Sequence, residues 1–115
     1  MKIQTSAEVR SLKSDGQDIA LDQHHNIDLE FSAIDTGGGF KDPMLDFSIS
    51  FEEPTEWSAS QSKISLTLVD PNNEEKKVSF LFDGEVTAAD RQINGRIKED
   101  QLSREVIGFV LNLLR

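Results

Sequence analysis

A chain of 115 residues with 21 acidic and 12 basic side chains, a formal charge of −9, no cysteine and 37% apolar residues predicts one small acidic domain, 1–115, around a single core. The lack of cysteine excludes a disulfide framework, a Cys-ligated zinc site and a thiol nucleophile. The opening MKIQTSAEVR alternates polar and apolar residues, and no run approaches the ~20 apolar residues of a membrane span. A mature chain starting near Met1 and a cytoplasmic location are therefore expected.

The hydrophobic period is two along most of the chain. Ile3, Thr5, Ala7 and Val9 alternate with polar neighbours and predict a strand with one buried face. Asp15-Gly16 is a turn signal, with a short strand expected at Ile19 and Leu21. Ile27, Leu29, Phe31 and Ala33 form the next strand, and Leu45, Phe47, Ile49 and Phe51 repeat its rhythm. Both are amphipathic in the antiparallel manner. The stretches 35–43 and 52–62, rich in Pro, Gly or Ser, are expected to be loops.

Ile64, Leu66 and Leu68 lead through a polar connection at Asp70–Glu75 into Val78, Phe80 and Phe82, which reads as a hairpin. Asp83-Gly84 suggests a bulge or turn, with Val86–Ala88 continuing the strand. Residues 89–97 are ambiguous: Ile93, Gly95 and Ile97 can line a last strand, yet Asn94-Gly95 is also a tight-turn dipeptide. From Glu99 the period becomes helical, with Leu102, Val106, Phe109, Val110 and Leu113 as one stripe, widened by Ile107, Leu111 and Leu114. Asp100 is the expected N-cap of a helix of about 16 residues. So wide an apolar arc predicts either wrapping by a curved sheet or a second side used by a homodimer partner. The fold class that follows is α+β: an antiparallel β-meander of five to seven strands with one long C-terminal helix packed on one face.

The charge is unevenly placed. Between Ser14 and Ser62 stand eleven carboxylates against one cation, Lys41. Such a field repels phosphates and anionic headgroups, so neither nucleic acid nor membrane is an expected partner. It serves solubility, or it steers a basic protein partner. If the strands of Ile27 and Leu45 are neighbours, Asp28, Glu30, Asp46 and Glu52 gather on one sheet face opposite the helix. With Trp57, the lone tryptophan and an interface anchor or core cover, they are the candidate partner-binding residues.

Ser32-Ala33-Ile34-Asp35-Thr36-Gly37-Gly38, a strand running into Asp-Thr-Gly, resembles the catalytic signature of aspartic proteases, in particular the single-domain, retroviral-like members that complete their site by dimerising. The resemblance implies Asp35 as one of two carboxylates sharing a proton. The chain departs from the family at Gly38, where a small Ala or Ser is usual, and at the hairpin tip Pro71-Asn72-Asn73, where a Gly-rich flap is expected. A polar turn with three glycines accounts for the same residues. His24 and His25, with Asp22 and Asp28 nearby, are the metal candidates, but adjacent residues of an extended chain point to opposite sides. No cofactor site, phosphate loop or Gly-x-Ser-x-Gly element is present in the sequence.

Three functions follow. The first is a non-enzymatic interaction protein, inhibitor- or immunity-like or a chaperone-like adaptor, that presents a carboxylate-rich sheet face to a basic partner. The second is a dimeric aspartic-type peptidase using Asp35. The third is a small-ligand-binding β module with a pocket lined by Phe31, Phe47, Phe51, Phe80 and Phe82.

Overall fold

The computed structural model describes residues 1–14, 17–18, 25–51, 60–89 and 91–113, with only the backbone of 14, 17–18, 60–62 and 82–89. Trp57, Glu52, His24, Ile19, Leu21 and the Asp15-Gly16 turn lie outside the described residues, as does the side chain of Phe82. The strands are β1 (Lys2–Ser14), β2 (Gln17–Asp18), β3 (His25–Asp35), β4 (Phe40–Ser50), β5 (Ser60–Asp70), β6 (Asn73–Ala89) and β7 (Gln92–Ile97). A single 3₁₀ turn, Glu99–Gln101, then precedes the helix α1 (Arg104–Asn112). The class is α+β, with an antiparallel sheet and one C-terminal helix.

Two meanders make up the sheet. In the first, β1 neighbours β3 and β3 neighbours β4; in the second, β5, β6 and β7 follow one another. Pairing of β4 with β7 joins them on one side and pairing of β1 with β5 on the other, so the sheet closes on itself. Closure removes most of the unpaired edge that an open sheet would expose. The two-residue β2 pairs only with the end of β1.

β1 achieves the closure by serving two neighbours. Lys2–Val9 pairs with β3 and Glu8–Ser14 with β5. One extra residue, Arg10, is inserted where the register with β5 shifts between Val9 and Ser11. That bulge bends the strand and resets its alternation, so Leu12 is buried on the side of Ala7 and Val9 although it is out of phase with them. A plain two-residue period predicts only the first half of this strand.

The inner face holds one continuous core. Ile27, Leu29 and Phe31 of β3, Leu45, Phe47 and Ile49 of β4, Ile64, Leu66 and Leu68 of β5, and Ile93 and Ile97 of β7 are buried together. Residues 89–97 resolve as a turn at Arg91 followed by β7, with Asn94-Gly95 in mid-strand. Glycine is needed there because Phe47, its partner across the ladder, occupies the space a side chain would take. Asp83-Gly84 forms neither bulge nor turn: β6 passes through it in unbroken register with Lys63 and Ser62.

The helix is shorter than its apolar pattern. The chain leaves β7 through the 3₁₀ turn, which contains Asp100, and the helix proper starts after Ser103, whose hydroxyl accepts from Val106 N. Ser103 rather than Asp100 is thus the N-cap. β7 pairs with only Glu85–Ala89 of the long β6, and α1, next on the chain, packs against β6. Val106, Phe109 and Val110 are buried in the core, and Ile107, Leu111 and Leu113 lie half-buried against it. The described part of the wide apolar arc therefore packs on the core, with Ile107, Leu111 and Leu113 still partly exposed.

Candidate functional site

On the outer face of β1, β3, β4 and β7, residues directly opposite each other build transverse rows. Gln4 pairs with Glu30, Glu30 with Asp46 and Asp46 with Arg96. In the next row Ser6 pairs with Asp28, Asp28 with Ser48 and Ser48 with Asn94. Residues of both rows line an open groove of about 650 Å³. Thr5, Leu29, Phe47 and Gly95 also line it, and the side chains of Leu29 and Phe47 belong to the buried core.

Three expected partner-binding residues, Asp28, Glu30 and Asp46, thus come together on this face. Two of the carboxylates are partly neutralised. Lys2 Nζ stands 2.9 Å from Glu30 Oε1. Arg96 donates from Nε to Asp46 Oδ1 at 2.7 Å and from Nη2 to Oδ2 at 3.3 Å, the bidentate geometry that suits a guanidinium. Asp28 is exposed, and its side chain has no hydrogen bond or ion pair among the described residues. Beside it Gln92 Nε2 donates to Ser48 Oγ at 2.8 Å and Asn94 Nδ2 to Gln92 Oε1 at 3.4 Å.

Lys2 and Arg96 are not apparent as members of this site in the sequence. Arg96 lies fifty positions from Asp46, and only the β4–β7 pairing brings the two together. Its place in the alternation of β7 is the one local signal, since Arg96 stands between the inward Gly95 and Ile97, in the same outward phase as Asn94.

Asp35 lies elsewhere, at the exposed tip of the β3–β4 hairpin. Its Oδ1 accepts from Gly37 N at 2.8 Å, while Thr36 donates from both N and Oγ1 to Gly39 O at 3.1 Å. Gly37 has φ +85°, a conformation that glycine adopts at no steric cost. Asp-Thr-Gly here is a self-bonded turn.

His25 is buried at the start of β3. Its Nε2 is 2.6 Å from Ser50 O and its ring centroid 4.7 Å from that of Phe51. The histidine is thus engaged with the end of β4, and among the described residues no group of three His, Cys, Asp or Glu could hold a metal ion. Of the aromatic set, Phe31 and Phe47 belong to the buried core, and Phe51 and Phe80 pack against it.

A second depression, of about 340 Å³ between β6 and α1, is lined by Lys76, Lys77 and Arg104 with Asp70, Glu75 and Glu105, so it carries no net sign. No helix among the described residues is long and apolar enough to cross a membrane. Comparison with protein-family models, with curated proteins and with solved structures gives no match to this chain.

Proposed function

We propose that this chain is a non-enzymatic interaction protein, of the inhibitor, immunity or adaptor kind, that presents the outer face of β1, β3, β4 and β7 to a basic protein partner. The observation that carries the reading is the direct pairing of Glu30 with Asp46 across β3 and β4, with Asp28 in the adjoining row. Two neighbouring strands thereby hold three carboxylates on a rigid sheet instead of on mobile loops. Like charges placed directly opposite cost stability, and Lys2 and Arg96 relieve that cost. Asp28 is left as the charge with the most to gain from an incoming cation. Complementary charge of this sort raises association rates and sets specificity more than it adds raw affinity.

The test compares capture of basic proteins by the wild type and by Asp28→Lys at low and at high salt. Salt-sensitive capture that Asp28→Lys weakens by at least about tenfold supports the reading. Equal recovery by both proteins overturns it. Asp28 is a better probe than Asp46, because a lysine at 46 would face Arg96 and could lower stability by itself.

A further inference from the structure

We propose that Asn94 is a latent modification site: it deamidates through Gly95, and only when β7 opens. Asn-Gly is a reactive pair because glycine leaves its amide nitrogen unhindered. That nitrogen attacks Asn94 Cγ, the Cγ–Nδ2 bond breaks and ammonia leaves. Water then opens the resulting cyclic imide at either carbonyl, giving aspartate or isoaspartate. No oxidant or other co-reactant is required.

Two features of the fold bear on this chemistry. The first explains why the pair persists. A side chain at 95 would collide with the ring of Phe47, so core packing demands glycine immediately after Asn94. The second restrains the reaction. Asn94 is paired on both sides, with Ser48 of β4 and with Thr87 of β6, and Gly95 likewise with Phe47 and Val86. In a strand so held the Asn94 side chain stands off the sheet, while the next amide nitrogen lies in the plane of the ladder. Attack needs a backbone rotation that the two ladders forbid. β7 has only six residues, and its opening sets the rate.

The products would act on the groove described above. Aspartate at 94 places a further carboxylate diagonal to Asp46 and in the same row as Asp28, across Ser48. Isoaspartate adds a backbone atom to β7, which cannot keep register with both neighbours.

The wild-type protein is held in mildly alkaline buffer and, in parallel, in the same buffer with unfolding urea, and both are followed by peptide mass mapping. In urea, Asn94 is expected to convert faster than Asn26, Asn72, Asn73 and Asn112, none of which precedes glycine. In the folded protein conversion should be slower by about tenfold or more, and Ile93→Val, which loosens a buried anchor of β7, should raise the folded rate several-fold. Equal rates with and without urea, a different fastest asparagine, or a folded rate indifferent to Ile93→Val would each overturn the proposal.

Discussion

The ring of Phe47 lies across Gly95 on the inner face of the sheet. A Cβ at position 95 would meet ring atoms Cζ and Cε1 well inside van der Waals contact and Cε2 at 3.2 Å. Phe47 is itself buried, so the ring has little room to retreat. Gly95→Ala is therefore expected to lower stability by about 1–3 kcal/mol, the usual cost of overpacking. In a Phe47→Leu background the same substitution should cost much less. Urea unfolding midpoints of the four proteins form the double-mutant cycle that checks it. An unchanged cost would show that the ring is not the obstacle.

The outer face makes a separate electrostatic prediction. Glu30 and Asp46 face each other directly, and Arg96 clamps the second of them. Arg96→Ala should lower stability by about 0.5–1 kcal/mol at low salt, since it removes an exposed ion pair and leaves two like charges opposed. Most of that loss should vanish at high salt, where exposed charges are screened. A loss independent of salt would assign the effect to the packing of the arginine stem.

What could be read from the sequence and what could not divide along one physical line. Alternation reports which side of a strand is buried, so the inner residues of β3 and β4, and with them the outward Asp28, Glu30 and Asp46, are legible one strand at a time. Which strands become neighbours depends on long-range closure, which no local period records. The adjacency of β3 and β4 follows from a short hairpin, but that of β4 with β7, and so the Asp46–Arg96 clamp, does not. Arg10 illustrates a second limit, because a bulge of one residue reverses the phase of everything after it. At the C-terminus the apolar stripe begins before the helix does, as Leu102 is buried from an extended segment and not from a helical turn.

Asp42 offers a local test. It has φ +52° at the irregular point of β4, where the register with β3 shifts, and it directly precedes the buried Pro43. Left-handed backbone costs an ordinary L-residue roughly 1–2 kcal/mol, less for Asp, and nothing for glycine. Asp42→Gly is expected to leave thermal stability unchanged or raise it slightly, whereas Asp42→Val should lower it by about 1 kcal/mol or more. The side chain is exposed, so packing does not confuse the comparison. If both variants melted together, the backbone conformation at 42 would not be the determinant.

The N-cap of α1 lies three residues beyond Asp100, the cap expected from the sequence. Ser103 has extended backbone, φ −76° and ψ 160°, and its Oγ accepts from Val106 N at 3.3 Å. It thereby satisfies one of the amides that a helix leaves free in its first turn. Asp100 lies within the 3₁₀ turn, exposed, with no capping bond among the described residues. Ser103→Ala should cost about 1 kcal/mol and Asp100→Ala only a few tenths, as thermal or urea unfolding would record. Because Val106, whose amide the cap holds, is buried against the core, fraying of this first turn would loosen a core contact as well as a hydrogen bond. The loss at Ser103 should consequently appear in the global transition and not as local fraying alone. Equal costs for the two alanines would place the start of the helix at Asp100.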